Sequence, residues 1–274
     1  MEYNSEEEFL KEYDSSIFEK LSLTSDILIV SVSDEITSNY RKSNKKHMSV
    51  LLVKRDNYPF KGKWCLPGGF IKMDENLRDC PDRILKEETN LHDIYLEQLY
   101  TFGDVNRDPR MRIISVSYMA LIDKNKLKYK LSSNSSWFNV TITENKNIVS
   151  LDFDNGNENF TVKIKKELKL ETSNKYHYVV LDNDHLAFDH AKVIITGLER
   201  LKNKAAYTDV VFNMMPKYFT LGDLQRVYEV ILNKKLLDPA FRRIIKDKVI
   251  KTEIVKSDGG HRPSTMYTYK GNIK

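Results

Sequence analysis

The stretch Gly69 to Leu91, GFIKMDENLRDCPDRILKEETNL, constrains this chain more than any other, because it joins a glycine-rich turn to an amphipathic helix ending in adjacent carboxylates, Glu87 and Glu88. Those are the parts of a site for a metal ion and a diphosphate. Such a site holds Mg²⁺ through hard oxygen ligands, and the ion orients water and neutralises developing charge. On a helix, position 84 lies one turn before Glu88 and three residues before Glu87, so a carboxylate there would share their face. Ile84 stands there instead and binds no metal. Asn90 closes the helix, and asparagine is next best after glycine for a left-handed helix end. Pro81 falls early in the helix, which predicts one disrupted first-turn hydrogen bond and a displaced start.

The spacing resembles the Nudix box, which reads G, five residues, E, seven residues, then R-E-aliphatic-x-E-E-x-G-aliphatic. Gly69, Glu75, Arg83, Leu85, Glu87, Glu88 and Leu91 match it, while Ile84 and Asn90 depart from it. The approach, with Gly62, Trp64, Leu66, Pro67 and Gly68, is also similar to the family. Resemblance to Nudix hydrolases implies an α/β/α sandwich, with Arg83, Glu87 and Glu88 as catalytic residues and Glu87 and Glu88 as magnesium ligands. With Ile84 in place of the first helix glutamate, it implies a weakened metal site and leaves catalysis in doubt. The plain alternative is a charged amphipathic helix after a turn.

Downstream, RDPR within Asp104 to Arg112 resembles a signature of Nudix proteins that handle ADP-ribose. Arginine forks bind diphosphate bidentately and stack on bases, so Arg107, Arg110 and Arg112 are candidate ligand contacts with Gly68 and Gly69, and Asp108 is a candidate ribose acceptor. A surface turn around Pro109 is the other reading. His190, at a helix start, is a further candidate contact, although a histidine there more often packs or hydrogen-bonds. No second histidine or cysteine stands at ligand spacing, which argues against zinc.

At 274 residues the chain accommodates two domains, expected at 1–214 and 215–274. Its 41% hydrophobic and 30% charged content describes an ordinary globular protein, and no apolar run approaches bilayer length. The acidic start, MEYNSEEEFLKEYD, is unlike a secretory signal. With only Cys65 and Cys80, both read as inert, no disulfide framework is implied and a reducing cytoplasm is the expected compartment. Apolar spacing predicts an N-terminal helix around Phe9 to Phe18, strands at Asp26 to Val32, Met48 to Lys54 and Ile113 to Leu121, and a helix over Leu186 to Leu201. Alternation from Val140 to Ile164, with Asn155-Gly156 as a hairpin turn, predicts an antiparallel β insertion spanning about 138–180. That insertion either widens the ligand pocket or forms a subunit contact.

Residues 216–274 hold 13 Lys and Arg against 6 Asp and Glu, a net of +7, so the remainder of the +5 chain sums to −2. An anionic partner such as nucleic acid and a solvated basic face both remain open on charge alone. Thr220 predicts a helix N-cap, and Asp238-Pro239 predicts the start of a second helix that turns Arg242, Arg243 and Lys246 outward. A hairpin follows, with Val249 to Val255 pairing Met266 to Tyr269 across Gly259-Gly260. Helix, helix and basic hairpin compose a winged helix-turn-helix, with Arg242, Arg243, Lys246 and Arg262 as DNA contacts. A dimerisation module is the alternative.

The text FTLGDLQRVYEVILNKKLLDPAFRRIIKDKVI, with GGHRPSTMYTY and the helix opening LAFDHAKVI, resembles the Nudix-related transcriptional regulators of NAD metabolism. The resemblance implies an α+β chain, a homodimer with duplex DNA as partner, ADP-ribose or a related nucleotide as effector, and control of NAD or sugar genes. A working ADP-ribose pyrophosphatase is the competing reading, and an RNA-associated Nudix protein a third.

Overall fold

A computed structural model describes residues 5–34, 45–90, 94–127, 131–170, 175–256 and 263–272. The elements run α1 (Glu6–Glu12), β1 (Ser22–Asp34), β2 (Lys46–Lys54), β3 (Trp64–Cys65), β4 (Gly68–Phe70), α2 (Asp79–Thr89), β5 (Tyr95–Phe102), β6 (Ile113–Leu121), β7 (Ser135–Asn145), β8 (Ile148–Asp154), β9 (Asn159–Leu170) and β10 (Lys175–Asp182). There follow α3 (His190–Ala205), a 3-10 turn (Val210–Met214), α4 (Leu221–Leu232), α5 (Asp238–Ile245), β11 (Val249–Lys256) and β12 (Ser264–Tyr269).

Alternation along β1 explains the layers. Its Ile27 and Ile29 join Leu51, Ala120 and Ile122 on one face, where α2 lays Cys80, Ile84 and Leu85. Leu28, Val30 and Val32 point the other way and meet Ile194, Leu198 and Leu201 of α3. A strand buried on both faces sits at the centre of a sandwich, and β1 pairs with β6 in parallel and with β2 antiparallel.

The β insertion is a continuation of that sheet. Strand β7 pairs with β2 from Ser49↔Asn139 to Val53↔Ser135, and the order runs β10-β9-β8-β7-β2-β1-β6-β5, with β3 beside β2 and β4 beside β1. Phe138, Val149, Leu151, Phe153, Phe160 and Ile164 enter the same apolar cluster as α3. At the β8–β9 turn Gly156 takes φ +85°, and Asn155 Oδ1 accepts from the amides of Asn157 and Glu158.

Three helix boundaries differ from the sequence reading, and the first is α1, which ends at Glu12 where Tyr13 takes an extended backbone, short of the expected Phe18. Helix α2 begins two residues before Pro81, so the proline falls in the first turn, where amides lack i−4 partners. Asn90 closes it at φ 50°. Helix α3 starts at His190, four residues after the expected Leu186. Phe188 at φ 54° cannot continue a right-handed helix, and the segment before it is bound to Trp64 through the Ala187 amide.

The winged helix forms as spaced. Thr220 Oγ1 accepts from the Asp223 amide at 3.0 Å, and Leu224, Tyr228, Ile231 and Leu232 of α4 point inward with Phe241 and Ile245 of α5. These residues belong to one apolar cluster with Leu28, Val50 and Leu198, so the module is welded to the sheet and not tethered by a linker. Gly259, Gly260, Arg262, the polar loop from Asn39 to Asn44, and Leu91 lie outside the described residues. Among the described residues no helix is long and apolar enough to cross a membrane. Helix α1 buries no residue.

Candidate functional site

A cleft of about 350 Å³ opens where β1, the Arg55–Asn57 loop, the Leu66–Phe70 segment, the RDPR loop and the start of α3 converge. Its floor is an ion cluster. Arg107 donates to Asp189 at 2.7 and 3.0 Å and to Asp26 at 3.3 Å, and Ser115 Oγ donates to Asp26 at 2.5 Å. His190 Nδ1 accepts the Leu66 amide at 2.9 Å, which leaves the ring proton on Nε2, 3.6 Å from Asp26 Oδ1. Burial alone would push the Asp26 carboxyl up, but the His190 ring, the Arg107 guanidinium and the Ser115 hydroxyl hold it well below the usual carboxylate range.

This cluster explains one glycine. A Cβ on Gly68 would stand 2.4 Å from Asp26 Oδ1 and 3.0 Å from the Ser25 carbonyl, so the β1–β4 pairing requires glycine there. Gly68→Ala is therefore expected to lose about 1–3 kcal/mol of stability through overpacking, read as a lower midpoint in urea. An unchanged midpoint would show that Asp26 moves freely, against the clamp just described.

At the mouth, Arg110 lies over the rings of Phe70 and Phe188, 5.4 and 5.8 Å from their centroids, and Arg55 lies 4.8 Å from the Phe188 centroid. Asp108 holds Arg110 through its amide, Nε and Nη2, at 2.8–3.0 Å. Arg110 retains 41% side-chain exposure, so a cation braced from below faces the cleft beside two aromatic rings. Such a surface receives a planar base and a diphosphate.

The box helix holds its parts differently. Arg83 grips Glu75 at 2.7 and 3.0 Å, and this forked hydrogen bond draws the Glu75 carboxyl down to about 2. Glu87 is 61% exposed, with Arg83 Nη1 3.6 Å away. Glu88 lines the cleft and accepts from Ser135 Oγ at 3.1 Å, and burial pushes its carboxyl up. Ile84 is 4% exposed within the α2 cluster. One carboxylate is bound to arginine, one points outward, one is half-buried, and the fourth position is packed hydrocarbon. This donor set does not fit a dedicated magnesium site, and among the described residues no three His, Cys, Asp or Glu side chains converge on a common point. Burial raises the Cys65 and Cys80 thiols to about 11, so both are protonated at neutral pH.

The expected contacts differ in burial and in partners. Arg107 and His190 form the buried floor, where Arg107 is committed to two carboxylates. Asp108 lines the cleft with both carboxylate oxygens bound to Arg110, while Arg112 lies outside the cleft and donates to the Gly103 carbonyl at 2.8 Å. Gly68, Gly69 and Arg110 line the cleft together. Asp26, Arg55, Phe70, Phe188 and Asp189 were not legible as site residues. Asp26 read as a strand start and Asp189 fell inside the expected Leu186 to Leu201 helix, and only contact with Arg107 reveals their part.

In the winged helix, Arg242, Arg243 and Lys246 are all exposed on or just after α5, and among the described residues none makes an ion pair. Arg262 lies outside the described residues.

Fold and site together define a Nudix domain fused to a DNA-binding winged helix. Residues 39–149 match the NUDIX domain family, and residues 211–269 match the NrtR DNA-binding winged helix domain family. The ADPR responsive transcriptional repressor NtrR of Acinetobacter baylyi is 32% identical over 272 residues, covering 97% of this chain and 89% of that protein. A crystal structure of Shewanella oneidensis NrtR complexed with a 27mer DNA superposes with a TM-score of 0.64 at 30% identity, covering 91% of this chain and 94% of that one. An ADP-ribose pyrophosphatase of Methanocaldococcus jannaschii is 33% identical over 120 residues, 44% of this chain and 69% of that protein. The chain belongs to the NrtR family of Nudix-related transcriptional regulators.

Proposed function

We propose that residues 1–214 sense ADP-ribose or a related nucleotide and that residues 215–274 bind operator DNA, so that the chain is a ligand-responsive transcriptional regulator acting as a homodimer on NAD or sugar genes. One observation carries this: a cleft lined by arginine and aromatic rings shares a continuous core with a helix that presents exposed Arg242 and Arg243, with Lys246 just beyond its end. The relatives whose names include a repressor responsive to ADPR and a complex with DNA support it.

Calorimetry with ADP-ribose is the test of the sensor. Arg110→Ala removes the braced cation, and loss of one charge-assisted contact costs about 1.5–3 kcal/mol, roughly 10- to 150-fold in affinity. Absence of binding by the wild type, or unchanged affinity in the variant, would remove the sensor assignment.

The Glu75–Arg83 pair and the pyrophosphatase relative favour a second reading, hydrolysis of ADP-ribose. Ile84 opposes it, because the carboxylate that would complete the donor set is replaced by a packed side chain. Release of AMP in the presence of Mg²⁺ or Mn²⁺ is expected to run well below about 1 per second, an ordinary enzyme rate. A faster turnover would establish the hydrolase.

A further inference from the structure

One helix joins the cleft to the recognition module. At its N-terminal end α3 is riveted to the cleft through Asp189 on Arg107 and His190 on the Leu66 amide. Its 16 residues extend roughly 24 Å at 1.5 Å per residue. At the far end, Thr208 binds the Lys204 carbonyl through both its amide and its hydroxyl, at 2.9 and 2.8 Å. Lys248, between α5 and β11, donates to the Thr208 carbonyl at 3.0 Å and pairs with Asp209 at 2.9 Å. Tyr269, at the foot of β12, donates to the other Asp209 oxygen at 2.8 Å, and its ring stacks on Phe212 with centroids 4.3 Å apart.

We propose that Asp209 is a positioning residue that transmits the state of the cleft to the DNA-binding surface, by latching Lys248 and Tyr269 at the base of α5 and the wing to the end of α3. The proposal rests on the regulatory reading above and assigns its route. The module has two kinds of attachment. Helix α4 is sealed to α3 by buried apolar residues, and Asn233 binds the Ile142 carbonyl at 3.0 Å. Sliding that seal would expose core to water, so it acts as a fixed fulcrum. The Asp209 carboxylate is 44% exposed, and its partners can be exchanged for water at little cost. A bistable element needs one attachment that holds and one that releases, and the latch is the one that releases. A cleft ligand that shifts Phe188 or Arg107 moves the first turn of α3, and a stiff helix delivers that displacement to Thr208 and Asp209.

The test uses the full-length protein, with wild type compared to Asp209→Asn, Lys248→Met and the reversed pair Asp209→Lys with Lys248→Asp. Calorimetry reads ADP-ribose affinity, and fluorescence anisotropy reads operator affinity with and without saturating ADP-ribose. In wild type the ratio of the two operator affinities is expected within the usual allosteric range, about 5- to 150-fold. In Asp209→Asn and Lys248→Met that ratio is expected to collapse toward 1 while ADP-ribose affinity stays within about twofold and operator binding persists, and the reversed pair restores part of the ratio. A wild-type ratio retained in both single variants overturns the latch alone. Loss of ADP-ribose binding in those variants also overturns it, because the residues would then serve cleft stability. A ratio of 1 in wild type overturns the regulatory reading itself.

Discussion

Arg107→Met is expected to destabilise the protein by about 3–5 kcal/mol, the usual cost of removing one partner from a buried ion cluster. Methionine keeps most of the stem volume, so the loss reports on charge. Asp26 and Asp189 then face each other with no cation between them, both buried. At roughly 2–4 °C per kcal/mol for domains of 150–250 residues, the melting temperature falls by about 6–20 °C. Arg112→Met, which loses only a bond to the Gly103 carbonyl, is the control and should cost under about 1 kcal/mol.

The pH dependence distinguishes charge from packing. In the wild type the folded-state Asp26 carboxyl titrates below its unfolded value of 3.8, so its stabilising contribution is complete above that value and is lost only as pH falls through the folded one. From pH 5 to 8 that contribution is flat. In Arg107→Met the His190 ring and the Ser115 hydroxyl still hold the carboxyl down but the guanidinium no longer does, so its folded value rises toward the unfolded one and the stabilisation it lends above that value is smaller. The deficit relative to wild type, measured in urea at pH 7.5 and at about pH 3, is expected to shrink at the lower pH, where the wild-type contribution is being lost. A deficit that stays constant would assign the loss to packing.

The second large effect is on DNA. On the proposed homodimer, three exposed cations per module would contact about six phosphates, and a slope near −0.9 per contact would lower affinity by about 10³-fold between 50 and 200 mM salt. Arg243→Ala removes one contact from each module, so the log–log slope should fall by about 2 in magnitude. Anisotropy with operator duplex and a salt titration reads both. A wild-type slope shallower than about −2, or one unaffected by Arg243→Ala, would place the DNA contacts off α5.

Much of this was written in local order. The Gly69–Leu91 spacing marks the box, Thr220 and Asp238-Pro239 mark the two helices of the winged module, and alternation across Asn155-Gly156 marks the hairpin, because caps, turns and periodicity act over a few residues. What lay beyond local order was which polar groups meet. Arg107, Asp26 and Asp189 are 81 and 82 residues apart in hydrogen-bonded pairs, and only closure of the sheet against α3 sets Arg107 between two carboxylates in the cleft floor. Packing of α2 on the opposite face gives Ile84 its partners on β1 and β6, and pairing of β7 with β2 makes the β7–β10 extension part of the main sheet. The closure against α3 also brings the Phe70 and Phe188 rings beside Arg110 at the mouth. Sequence by itself determined the elements and the chemistry available, since those depend on neighbours along the chain. Tertiary structure decided which charges are spent on each other and which remain for a ligand, since a charge is committed only when burial and a partner arrive together.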